Sequence, residues 1–239
     1  MAQYLRIGAV LLALVALAGC DSETEVIVVD CVGPDLGFDG HWFGAMEDDT
    51  GALFTLEWQV CGDRITREAV NGFASSVSGQ IWPTGTGTWE GRLSDGTWLR
   101  LLSDPARRHL LVVNDLFEFA VLERGATGLP GWFLSDLDGQ WRGLEAYDDW
   151  RPAFVQGSAA LCGGGRCDTV ADDGFAATLY FDVLDAAFGM YRGDFVDSAG
   201  NAGLAGALMS PDLLFLGTYT CPDGFNGPWD CTFGALSFD

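Results

Sequence analysis

From Phe54 to Val60 the chain alternates without error: Phe, Thr, Leu, Glu, Trp, Gln, Val. Apolar side chains at every second position belong to a strand with one buried face. Two-residue alternation recurs along the chain, while helical periodicity is scarce. In Arg92–Trp98, RLSDGTW, the pair Asp95-Gly96 separates two aromatic-bearing runs, which predicts a hairpin. Breaks of the DG, NG and GG kind return about every 8 to 14 residues, the spacing of short antiparallel strands. One stretch reads two ways. Asp115–Arg124 has an acidic cap, Glu118 three residues on and Gly125 just beyond, as a capped helix would. Alternation at Phe117, Phe119 and Val121 favours a strand, and the strand is preferred. The expected fold class is all-β and antiparallel.

The pattern also repeats. FDGHWFG (Phe38–Gly44) returns as LDGQWRG (Leu137–Gly143), 99 positions later. GTWEG (Gly87–Gly91) has a counterpart in GMYRG (Gly189–Gly193), displaced by 102. Cys61 follows Trp42 by 19 residues and Cys162 follows Trp141 by 21, and LLSDP (Leu101–Pro105) faintly echoes ALMSPD (Ala207–Asp212). Landmarks in one order at offsets near 100 predict a duplicated unit of about eight short strands. The expected organisation is a leader at 1–19, a tether at 20–36, a first β unit at 37–128 and a second at 129–239. The joint is placed at 126–136. Two small tandem barrels are the preferred architecture; one β-sandwich, or one larger barrel built from both units, is the alternative.

A glycine two residues before a tryptophan near the start of an eight-strand meander, as in Gly40–Trp42 and Gly139–Trp141, resembles the first strand of the calycin barrels (lipocalins and avidin-like proteins). That resemblance implies a tryptophan closing one barrel end with an arginine of the last strand across its ring. Arg124 stands where that partner is expected in the first unit, a cation–π pair. The second unit has no arginine after Arg192 and departs from the pattern.

Composition narrows the partners. The formal charge is −22, and all twelve basic residues are arginine. Such an acidic surface repels phosphate backbones, so nucleic acid is not an expected partner. With 49% hydrophobic and 13% aromatic residues, the chain has ample material for a packed core.

The first residues, MAQYLRIGAVLLALVALAGC, pair one charge, Arg6, with an apolar run from Ile7 to Ala18. That run is too short to span a bilayer and fits the h-region of a secretory signal. Leu17-Ala18-Gly19-Cys20 resembles the lipobox of bacterial lipoproteins, which implies acylation of Cys20. It also implies a palmitate-bearing, membrane-tethered protein facing the periplasm. Asp21 resembles an inner-membrane retention signal, so that membrane is favoured over the outer one. Six further cysteines, Cys31, Cys61, Cys162, Cys167, Cys221 and Cys231, suit three disulfides in an oxidising compartment. Proximity pairs Cys162 with Cys167 and Cys221 with Cys231, leaving Cys31 for Cys61. A zinc site from the last four is the rival, although neither spacing is C-x-x-C.

Catalytic motifs are missing: no G-x-S-x-G, no H-E-x-x-H, and no lysine for a P-loop. The two histidines, His41 and His109, are expected to be surface or strand residues. Both units place carboxylates after their first strand: Asp48 and Asp49 in one, Glu145, Asp148 and Asp149 in the other. Calcium wants several such oxygens at once, which makes these the metal candidates; a solvated acidic turn is the competing reading. No other cofactor and no catalytic residue is indicated. The expected function is non-catalytic binding of a small apolar molecule, a glycan or a peptide. Docking on another envelope protein is the alternative, and a hydrolase ranks last.

Overall fold

A computed structural model describes residues 34, 36–147, 155–224 and 230–239. The leader, Cys20, Cys31, Asp148 and Asp149 lie outside the described residues. The first unit holds β1 (Gly40–Glu47), β2 (Leu53–Cys61), β3 (Arg64–Val70), β4 (Phe73–Ser75), β5 (Gly79–Gly85), β6 (Thr88–Leu93), β7 (Trp98–Ser103), β8 (His109–Asn114) and β9 (Phe119–Arg124). After a 3-10 turn at Leu134–Leu137 the second unit holds β10 (Gly139–Ala146), β11 (Val155–Gly163), β12 (Arg166–Ala171), β13 (Ala176–Asp185), β14 (Met190–Asp197), β15 (Ala202–Met209), β16 (Phe215–Pro222) and β17 (Thr232–Phe238).

Every ladder is antiparallel between neighbours, and both sheets close. The first runs β2-β1-β9-β8-β7-β6-β5-β3, and β2 pairs with β3 to complete the ring, with β4 as a short flap on β3. The second closes from β10 through β17 and back. Two tandem eight-stranded barrels therefore replace the sandwich and single-barrel alternatives. Asp115–Arg124 forms a turn leading into β9, not a helix. The turn is held by Asn114, whose side-chain oxygen accepts from the Leu116 and Glu118 amides, with Phe117 at φ 68°.

The duplicated heptapeptide closes each barrel end, and nearly every position in it has the same task twice. Phe38 and Leu137 are fully buried. Asp39 and Asp138 accept the amides of Gly62 and Gly164, tying the motif to the β2–β3 and β11–β12 turns. Gly40 and Gly139 take φ of 131° and 147°, which a side chain would strain. The indole N–H groups of Trp42 and Trp141 donate back to the Phe38 and Leu137 carbonyls at 2.7 and 2.9 Å. At Gly44 and Gly143 a Cβ would lie 1.8 and 1.9 Å from the carbonyls of Val121 and Ala235. The second echo holds equally: Gly87 and Gly189 take φ of 72° and 69°, and their carbonyls accept the amides of Ser103 and Met209.

Two landmarks need correction. Gly40 pairs with Val60 and Gly139 with Cys162, so Cys162 corresponds to Val60 and not to Cys61. The Cys162–Cys167 disulfide thus stands where the first barrel has Val60 opposite Ile65. Cys221–Cys231 forms as proximity suggested, and Cys61 is disulfide-bonded while its expected partner Cys31 lies outside the described residues. Arg124 does sit opposite Trp42, but its guanidinium donates to the Gly37 carbonyl; Arg107 is the cation over the ring faces of Phe38 and Trp89, at 5.8 and 5.2 Å. In the second barrel Phe238 takes the place of Arg124, edge-on to Trp141.

Three cores result. One fills the first barrel around Trp42, Trp58 and Trp89; another fills the second around Trp132, Trp141 and Tyr191. Trp132 comes from the joint, so that segment packs as part of the second barrel, its ring against Gly189. The third core lies between the barrels, where Leu111, Phe119 and Val121 of the first meet Phe215, Tyr219 and Phe233 of the second. Its contacts join corresponding positions. His109 stacks on Phe215 with centroids 5.1 Å apart, Leu111 abuts Gly217, and Phe119 lies 6.2 Å from Phe233. Matching each residue to its own counterpart is the mark of a two-fold relation, here within one chain.

Candidate functional site

β1 runs from the closed end of the first barrel at Trp42 to the open end at Met46. There the barrel wall does not fill its own interior. A cavity of about 190 Å³ has an apolar floor of Met46, Leu56, Trp58, Leu99, Val112 and Ala120. Its polar groups are Glu68, Asp95, Thr97, Asn114 and Glu118, and among the described residues no arginine or histidine lines it. The Trp58 indole donates to Glu68 at 3.1 Å, and the Asn114 amide donates to Glu118. Burial, followed by the charges of Glu68, Asp48 and Asp49, holds the Glu118 carboxyl above its ordinary range. Chemically the space can accept a small apolar body whose head donates hydrogen bonds or carries positive charge. A cation there would relieve the carboxylates that now oppose one another.

The predicted metal residues do not gather into one site among the described residues. Asp48 is half-buried and spends one carboxylate oxygen on the Thr50 amide, the Thr50 hydroxyl and the Ala52 amide, which lower its pKa. It is a satisfied turn cap, and Asp49 is exposed beside it. Glu145 is not in a turn. It lies on β10 at the position corresponding to Met46 and accepts from Ser158, which corresponds to Leu56. Burial raises its pKa.

Sequence reasoning passed over a second cluster. His109 opens β8, so it is a strand residue, one of its two expected placements, and it is only 4% exposed. Its Nε2 lies 3.0 Å from both carboxylate oxygens of Asp212, which belongs to the second barrel. Its Nδ1 is buried without a hydrogen bond and faces Asp104 at 3.6 Å. Glu123, on β9, accepts the Asp212 amide at 2.8 Å. Burial alone would lower the His109 pKa, but Asp104 and Asp212 outweigh it and raise it; burial and then Asp212 raise that of Glu123. A third polar contact crosses the same interface. Buried Glu47 accepts from Arg192 at 2.8 Å and from the Tyr219 hydroxyl at 3.1 Å. The faint LLSDP and ALMSPD echo was the available signal: it marks the two turns that carry Asp104 and Asp212.

Neither a protein-family model nor a curated protein matches this chain. Among solved structures, a protein of unknown function from the DUF3598 family of Nostoc punctiforme aligns over 84% of this chain and 96% of its own, at 13% identity and a TM-score of 0.32. Likeness at that level carries no argument about either fold or function.

Proposed function

We propose that this is a lipid-anchored envelope protein whose first barrel binds a small apolar molecule bearing an amine or comparable cationic head. The lipobox-like Leu17-Ala18-Gly19-Cys20 supports the tether, since two acyl chains anchor durably where one does not. One observation carries the binding role: an apolar cavity open at the barrel mouth whose charged lining groups, among the described residues, are all carboxylates. Its size suits one ring or a short alkyl chain, since an apolar cavity of about 150 Å³ accepts benzene.

Trp58 lies in the wall and reports occupancy by fluorescence. Phenethylamine and hexylamine are expected to bind, 1-hexanol more weakly, and hexanoate least. Glu68→Gln combined with Glu118→Gln should narrow that order, Asp95 remaining. Equal binding of hexanoate and hexylamine, or none by any probe at millimolar concentration, refutes the assignment. The tether is tested separately: Cys20→Ala should move the protein from the membrane to the soluble fraction.

Docking on an envelope protein is the second reading. It is favoured by the Trp82–Trp98 pair on the outer wall, with Trp98 41% exposed and Arg92 over its ring at 5.4 Å. Trp98→Ala should then weaken co-isolation of a partner while leaving amine binding intact.

A further inference from the structure

We propose that His109, Glu123 and Asp212 bind a divalent first-row transition metal that clamps the two barrels together. One ligand atom from each lies within 4.8 Å of the others, and His109 and Glu123 are more than nine-tenths buried. An imidazole nitrogen with two carboxylates suits zinc and its neighbours, whereas calcium and magnesium prefer all-oxygen shells. Asp104 stands beyond Nδ1 at 3.6 Å, on the side from which a carboxylate orients a metal-bound histidine, while Nε2 faces the second ligand, Asp212, at 3.0 Å. Charge balance points the same way. Asp104, Asp212 and Glu123 bring three negative charges, and Arg108, 3.5 Å from Asp212, supplies one positive charge. A bound dication offsets the remainder.

The sister unit sharpens the case. Through the register, Phe215 corresponds to His109, Ser237 to Glu123 and Ala106 to Asp212. The turns share one side-chain bond, since Ser210 accepts the Phe215 amide as Asp104 accepts that of His109; the Arg108 amide goes to Asp104, but its counterpart, the Leu214 amide, goes to Asp212. His109 and Glu123 thus have no ligand counterparts across the two-fold, whereas Asp212 also caps its own turn by accepting the Ser210 hydroxyl and the Leu214 amide.

The same comparison supplies the variants. Zinc titrated into the purified chain should give a one-to-one isotherm and raise the Tm, with no competition from magnesium or calcium. His109→Phe puts in the residue its counterpart already holds; it should fold and lose both effects. Glu123→Gln, nearly isosteric, should weaken binding, and His41→Gln should leave it unchanged. X-ray absorption of the zinc complex should show a single imidazole. Absence of an isotherm, unchanged binding in His109→Phe, or loss of binding in His41→Gln overturns the proposal.

Discussion

At Gly44 and Gly143 the opposing carbonyl occupies the space of any side chain, so these two residues are fixed by contact and not by turn geometry. Gly44→Ala or Gly143→Ala must push β1 from β9, or β10 from β17, and should cost at least about 3 kcal/mol in urea unfolding. An alanine variant within 0.5 kcal/mol of the parent, on the order of a neutral surface change, would contradict the close approach. Glu145 makes a pH-dependent prediction. Its folded pKa lies above the ordinary 4.5, so the native state holds its proton more tightly than the unfolded chain. Stability is then lost as pH rises from that value through the folded pKa. Glu145→Gln should therefore be more stable than the parent at pH 7, with the difference fading towards pH 4; a less stable variant at pH 7 refutes this. At this scale the heptapeptide was legible because identical tasks leave identical letters. Glu68 and Glu118 were not, because a carboxylate facing a lumen reads the same as one facing solvent.

Strands were legible where one face met solvent, as in β2, where Leu56, Trp58 and Val60 are buried between more exposed neighbours. β8 hides its pattern. Every residue of HLLVVN is buried, because one face lines the first barrel and the other the inter-barrel core. Alternation signals a half-buried strand only, so a strand covered on both sides reads as an undivided apolar run. The cysteine landmark failed for a related reason: one position of slippage along a strand turns the side chain to the opposite face. The correct alignment predicts how the Cys162–Cys167 bridge can be replaced. Opening so short a loop should cost about 2 kcal/mol, as Cys162→Ser with Cys167→Ser would show in thermal melts. Cys162→Val with Cys167→Ile installs the pair that the first barrel carries as Val60 and Ile65, and should recover much of that loss. Equal melting of the two double variants would contradict the correspondence.

Two barrels of similar plan share a third core, so they should unfold together. Calorimetry of the parent is expected to show one transition. Phe119→Ala, which empties part of that shared core, should cost about 3–5 kcal/mol and split the transition in two. A single undivided transition in that variant would speak against joint stability. The duplication was visible in sequence, while the way its copies face one another was not: packing between units leaves no periodic trace along either. The two-fold matching of His109 with Phe215, Leu111 with Gly217 and Phe119 with Phe233 has an evolutionary corollary. Such an arrangement has the geometry of a homodimer held within one polypeptide. While subunits are separate copies of one gene, each substitution appears on both sides of the axis at once. Fusion lifts that constraint, so one side of the axis can carry an imidazole and the other a phenylalanine.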